Sequence, residues 1–278
     1  MKTKWYVTGL KYLAAFVVFL LVVFPIYWIV SCSFRAQSDF MSPNPSLIGT
    51  GFTLQNYITV FTTAGFGRNI INSLIYTVGT VTLSLVISSL AAYALTYYSK
   101  FRLGKYINAF LYLMQMLPSL VMTIALFLAY WKLGMLNTYS SMILAYACGG
   151  GGTTIAVIML CGYYMDVPKD LFESAWIDGA NAFKAFYRIL LPLAAPGLLC
   201  SAIYVFIITW QEFPYAQNLI TDNTMYNVTV GLAAFSQERG KDWGGIMAAA
   251  TIIMVPTLIM FVTIQNYFID NLSGAVKE

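Results

Sequence analysis

Six long apolar segments alternate with short polar ones along the chain, at about residues 12–33, 70–98, 106–131, 139–164, 195–219 and 244–268. Each is near or above the roughly 20 residues that a helix needs to cross a hydrocarbon core. Lipid offers the backbone no hydrogen-bond partner, so spanning segments of this kind are helical. The expected fold class is therefore all-α, an integral membrane protein with six transmembrane helices. The first apolar run follows Lys2, Lys4 and Lys11 as a signal peptide would. It is too long for the apolar region of such a peptide and further spans follow, so it reads as a retained helix.

Composition agrees with the pattern. Of 278 residues, 59% are hydrophobic and 9% charged, against about 45–50% apolar in soluble domains. No spacer exceeds about 35 residues, so the whole chain, 1–278, reads as a single transmembrane domain. If the N-terminus is cytoplasmic, the inner segments hold Lys2, Lys4, Lys11, Lys100, Arg102, Lys105, Lys169, Lys184, Arg188 and Lys277. The outer segments then hold Arg35, Arg68, Lys132, Arg239 and Lys241. Basic residues concentrate on the cytoplasmic side of membrane proteins, which puts both termini inside. A net charge of +4 without a run of Lys or Arg gives no footprint for nucleic acid. Cys32, Cys148, Cys161 and Cys200 lie far apart and the chain has no histidine, so neither a zinc site nor a disulfide framework is expected.

Three features stand out within or between the spans. In the first outer loop Leu54, Tyr57, Ile58 and Phe61 recur at helical spacing behind Thr53, which predicts a short capped helix packed on the span ends or lying on the membrane. Gly149 to Gly152 interrupt the fourth span; Gly150 and Gly151 mark either close helix packing or a bend, or else a broken helix at a translocation path. Glu212, beside Gln211, is the single acid inside an expected span, and intramembrane carboxylates face a cavity or a partner. Gln211 and Glu212 are thus candidates for a translocation pathway, with a structural hydrogen bond as the alternative.

The polar segment 165–194 is unlike the others. From Asp166 to Pro192 it collects four acids and three bases, seven of the 26 formal charges (15 + 11) in the chain. Pro168, the Asp170 and Glu173 pair and Gly179 predict a helix of about ten residues with a capping box at its start and a left-handed residue at its end. Asn181 then caps a second helix with Phe183, Phe186, Tyr187 and Leu190 on one face and Lys184 and Arg188 on another. Large apolar groups and the small Ser174-Ala175 patch on the first helix suit a docking surface, or packing onto the protein's own spans.

Glu173-Ser174-Ala175, Gly179 after three more residues, and Ile189-Leu190-Leu191-Pro192 after nine more resemble the EAA loop of bacterial ABC importer permeases, with Ser174 in place of the first alanine. Asn44-Pro45-Ser46-Leu47, Ser99-Lys100-Phe101-Arg102, Trp210-Gln211-Glu212-Phe213 and Gly274-Ala275-Val276-Lys277 extend the likeness to the smaller permease of the maltose-type carbohydrate branch. The resemblance implies a multi-pass permease in the bacterial cytoplasmic membrane, importing a sugar delivered by an extracytoplasmic solute-binding protein. A second permease subunit and two ATP-binding subunits would be its partners. This chain would bind no cofactor, since ATP and Mg sit on the ATPases, and it lacks the G-x-x-x-x-G-K-[ST] phosphate loop. The resemblance makes Glu173, Ser174, Ala175, Trp176, Ile177, Asp178 and Gly179 the ATPase-coupling helix between spans 4 and 5. The tail, Gly274, Ala275, Val276 and Lys277, would be a further ATPase contact. From the residues alone an ion-coupled secondary transporter stands as the alternative, resting on one intramembrane acid. A membrane enzyme has neither histidine nor clustered carboxylates to work with.

Overall fold

The computed structural model describes residues 5–40, 49, 51–62, 65–98, 101–149, 152–168, 170–177, 179–239 and 242–275. Residues 44–47, 99, 100, Gly150, Gly151, Asp178, Val276 and Lys277 lie outside the described residues, as do the side chains of Glu173 and Ala275 and the surroundings of Gly274. Among the described residues every regular element is helical. In order these are α1 (Trp5–Ser33), α2 (Gln37–Phe40), α3 (Gln55–Thr62), α4 (Phe66–Tyr93, continued by a π-helical turn Ala94–Tyr98), α5 (Phe101–Met116), α6 (Ser119–Lys132), α7 (Tyr139–Gly149) and α8 (Gly152–Met165). There follow α9 (Asp170–Ile177), α10 (Ala182–Ala185), a π-helical turn Phe186–Leu190, α11 (Leu191–Leu193), α12 (Ala195–Trp210), α13 (Pro214–Leu219), a 3₁₀ turn Asn223–Met225, α14 (Val228–Arg239) and α15 (Trp243–Ala275).

Three helices, Tyr6–Ser33, Phe66–Tyr97 and Trp243–Thr263, are long and apolar enough to cross a membrane unbroken. The expected spans 106–131 and 195–219 are corrected to broken elements, and the fourth, 139–164, is two helices, α7 and α8, on either side of the glycine run expected to interrupt it. Between α5 and α6 the chain bends by 95° and between α7 and α8 by 48°; ahead of the expected fifth span, Ala182–Leu193 meets α12 at 78°. The expected fifth span also ends early, at Trp210, with α13 a separate helix. Proline accounts for two of these stops. Pro118 is the extended residue before α6 and Pro214 opens α13, positions where its missing N–H costs nothing. Pro25 and Pro256 lie inside α1 and α15 without ending either helix.

By internal contacts the chain divides into two compact units, Met1–Gly67 with Gly231–Pro256, and Arg68–Val230 with Thr257–Glu278. In the first unit α3 is tied to the end of α1. Asn56 Nδ2 donates to the carbonyls of Ser33 and Arg35, both at 2.8 Å, and Tyr57 Oη and Ser33 Oγ share a 2.7 Å bond. Arg35 is buried, with its guanidinium 4.8 Å from the Trp28 ring centroid and an N–H donated to Ser31 Oγ at 3.0 Å. Thr53 caps α3 as expected, accepting the Gln55 N–H. The face it buries is not the expected one: Asn56 and Val60 point inward while Leu54, Ile58 and Phe61 are exposed.

In the second unit α4 carries a buried polar stripe, Ser73, Thr77, Thr80, Ser84 and Ser88, spaced by three or four residues. Thr153 Oγ1 on α8 donates to Ser84 Oγ at 2.7 Å. Small side chains let α8 also approach α12 closely, which is how helices gain van der Waals contact in lipid. A Cβ at Gly197 would lie 2.5 Å from Tyr163 Cγ, whereas one at Gly162 would meet nothing within 4 Å. Gly197→Ala is therefore expected to lower the thermal unfolding midpoint of the detergent-purified protein, at a cost of about 1–3 kcal/mol. Gly162→Ala, on the same helix as Tyr163, is expected to leave that midpoint unchanged or raise it.

Candidate functional site

The charged segment forms two short helices, as its caps foretold. α9 starts at Asp170, eight residues long rather than ten, and Pro168 precedes it, its carbonyl accepting the Leu171 N–H at 3.3 Å. Gly179 has φ +78°, the left-handed conformation expected of it. Its N–H donates to the Trp176 carbonyl at 3.0 Å, and that of Ala180 to the Ala175 carbonyl at 2.9 Å, the paired bonds of a Schellman cap. Ser174 Oγ donates back to the Asp170 carbonyl at 2.8 Å, so the small residue at this position is spent within the helix. Asn181 caps the next segment by accepting the Lys184 N–H at 2.8 Å.

α9 has an inner and an outer side. Phe172 is 1% exposed and Ala175 is buried, while Leu171, Ser174, Trp176 and Ile177 face outward, Ile177 with 87% of its surface free. Phe172 stacks at 4.4 Å from the Tyr97 ring centroid and 6.5 Å from Tyr93, both on the end of α4. The two tyrosines also fasten their neighbours through their hydroxyls. Tyr93 Oη donates to the Ala182 carbonyl at 2.9 Å, and Tyr97 Oη to the Tyr164 carbonyl at 2.8 Å. One cluster thereby joins α9, the π turn Phe186–Leu190, the end of α4 and the end of α8. Sequence reasoning did not single out Tyr93 and Tyr97. Their signal was an aromatic pair four residues apart at the end of a long apolar helix, where aromatic belts lie.

The expected stripe of the second helix is divided by the structure. Phe186 and Leu190 are buried; Phe183 and Tyr187 are exposed. The π turn Phe186–Leu190 widens the helix, so the 3.6-residue period used to draw the stripe does not hold there.

Glu212 stands in the turn after α12, not within a fifth helix running to residue 219. Its two carboxylate oxygens accept the backbone N–H groups of Tyr215 at 2.7 Å and Ala216 at 3.2 Å, capping α13. Its own carbonyl accepts from Asn227 Nδ2 at 2.8 Å and Thr229 Oγ1 at 2.6 Å. Gln211, beside it, is exposed. Tyr215 Oη donates to the Gly149 carbonyl at 2.7 Å, and a Cβ at Gly149 would lie 3.0 Å from that hydroxyl. Gly149, at the border of the break in the expected fourth span, thus sits in close packing. Among the described residues no three His, Cys, Asp or Glu side chains converge to hold a metal ion.

Residues 84–273 match the family described as binding-protein-dependent transport system inner membrane component, a stretch running from the middle of α4 into α15. The chain belongs to this family. It is a membrane permease component of ABC importers, and that membership decides against the ion-coupled secondary transporter. The permease is 36% identical over 265 residues to the diacetylchitobiose uptake system permease protein DasC of Streptomyces coelicolor, covering 95% of each chain. It is 35% identical over 271 residues to the trehalose/maltose transport system permease protein MalG of Thermococcus litoralis, again with 95% of each covered. Its fold matches a chain of a bacterial ABC transporter involved in the import of the acidic polysaccharide alginate, with TM-score 0.80 and 22% identity over 95% of this chain and 97% of that one. The family stretch contains the whole of α9 and its aromatic seat.

Truncating Phe172 in the permease removes the one large α9 side chain that is fully buried among the described residues. Phe172→Ala is expected to destabilise by about 3–5 kcal/mol and to raise amide hydrogen exchange in α9 ahead of α8. Phe172→Leu keeps most of the packing and is expected to leave α9 protected.

Proposed function

We propose that this permease carries a sugar or oligosaccharide inward, spanning the membrane six times with both termini cytoplasmic as a single transmembrane domain. A second permease subunit completes the pathway, an extracytoplasmic solute-binding protein delivers the substrate, and two cytoplasmic ATP-binding subunits hold the ATP and Mg. The observation that carries the sugar class is the likeness, over 95% of both chains, to permeases named for uptake of diacetylchitobiose and of trehalose and maltose.

In this reading α9 is the coupling helix. Its outward Trp176 and Ile177 meet a cleft of an ATPase subunit, and Glu173 pairs with a basic residue there. Asp178 completes the charged rim and Gly179 lets the chain turn tightly out of the contact. Closure of the ATPases on ATP moves α9, and the Phe172 seat on Tyr93 and Tyr97 passes that movement to α4. Ser174 and Ala175 allow a close approach on one side and packing on the other. Gln211, with Glu212 holding the α12–α13 turn, and Gly150 and Gly151 border the translocation pathway. The tail Gly274, Ala275, Val276 and Lys277 reaches toward the ATPase subunits.

The test is to purify the permease with its partners and measure ATP hydrolysis against a panel of saccharides. Stimulation by a di- or oligosaccharide in the presence of the binding protein is expected, and transport driven by an ion gradient without ATP would replace this reading. Gly179→Asp puts a side chain where left-handed backbone costs about 1–2 kcal/mol. It is expected to reduce stimulated hydrolysis by roughly tenfold, and wild-type stimulation in that variant would remove α9 from the coupling role. Ile177→Ala is expected to weaken ATPase association while leaving the unfolding midpoint of the isolated permease unchanged.

A further inference from the structure

The segment after the coupling helix has three faces. Ala185, Phe186 and Leu190 are buried against the cluster that seats α9. Phe183 and Tyr187, four residues apart, share a flank that is 71% and 63% exposed. Lys184 and Arg188, also four apart, form the next flank and are exposed too. From Ala182 to Trp210 the chain has no acidic residue. The segment Ala182–Leu193 meets α12 at 78°, so when α12 crosses the membrane this segment runs close to the membrane plane. Leu193, at the corner, is 53% exposed, so apolar surface is also free where the segment meets the spanning helix.

We propose that Ala182–Leu193 is an anchor on the anionic headgroup surface of the membrane. Phe183 and Tyr187 enter the interface between headgroups and acyl chains, and Lys184 and Arg188 pair with lipid phosphates. The physics is that of an interfacial helix, in which aromatic rings favour the boundary and basic groups favour anionic lipid. Two observations select lipid over a protein partner. The segment that carries the aromatic flank leads into a membrane-spanning helix with Leu193 exposed at the corner, and a basic flank without any acid complements phosphates rather than a mixed-charge surface. The anchor fixes the floor on which α9 is seated, because Phe186 shares the Tyr93 ring with Phe172. The choice of the cytoplasmic leaflet rests on the importer reading; the lipid contact itself does not.

The test uses the assembled transporter in nanodiscs of phosphatidylcholine alone or mixed with phosphatidylglycerol. A photoreactive benzoylphenylalanine introduced at Phe183 is expected to label lipid, with labelling unchanged by ATP. Substrate-stimulated ATP hydrolysis is expected to be several-fold higher in the anionic discs, and Lys184→Gln with Arg188→Gln is expected to abolish that preference while leaving hydrolysis in neutral discs intact. Labelling of an ATPase subunit from Phe183, or an unchanged anionic-lipid preference in the double variant, would overturn the inference. If no saccharide stimulates hydrolysis in either disc, the import reading fails while the crosslink still decides the lipid contact.

Discussion

A carbonyl or amide freed by a helix break inside hydrocarbon has no water to bond to, and leaving it bare costs several kcal/mol. At several helix ends of this permease, side chains bond the backbone groups that the break frees. Tyr215 covers the Gly149 carbonyl where α7 ends. Glu212 covers the first amides of α13, while Asn227 and Thr229 cover the carbonyl of Glu212 itself. Asn72 on α4 donates to the carbonyls of Thr224 and Tyr226 and accepts from Tyr139, and Tyr76 donates to Met225. The buried amides and tyrosines of an otherwise apolar chain are concentrated where the backbone is irregular. They hold bent elements in one geometry.

The seat of α9 follows the same logic with aromatic rings as well as hydrogen bonds. Tyr93 and Tyr97 each do two jobs, stacking on Phe172 and donating a hydroxyl to a neighbouring carbonyl. A helix of eight residues is too short to be stable in isolation, since helix nucleation is costly and few bonds repay it. Here its two ends are set by Pro168 and the Gly179 cap, and its middle by one ring in a pocket of rings.

How much of this was legible in the chain depended on how local the cause was. Asn181 and Gly179 behave as their residue types suggest, because capping and left-handed turns are decided within a few residues. Proline was less informative, since Pro118 and Pro214 lie at helix starts while Pro25 and Pro256 ride inside helices whose neighbours tolerate them. Apolar stripes misled in two places. On α3 the apolar residues Leu54, Ile58 and Phe61 are exposed and Asn56 is buried; after α9, Phe183 and Tyr187 are exposed. In a soluble protein an apolar face means the core, but lipid and partner subunits are apolar too, so the rule loses its direction. On α4 it reverses, and the buried stripe is serine and threonine.

The sequence by itself determined that the chain lives in a membrane, that its elements are helices, that two capped helices interrupt it between residues 165 and 194, and, through the EAA-type pattern, which family it joins. Length, hydropathy and capping are properties of contiguous residues, so they survive without coordinates. Only the tertiary structure decided that Asn227 and Thr229 cover the carbonyl of Glu212, that Asn72 ties α4 to Thr224 and Tyr226, and that Phe172 is held by Tyr93 and Tyr97. Those outcomes depend on which residue distant in the chain arrives to satisfy an exposed backbone group or fill a gap. Hydrogen bonding and packing across 15 to 152 positions of separation, as between Asn227 and Glu212 or Asn72 and Thr224, leave no periodic trace in the chain.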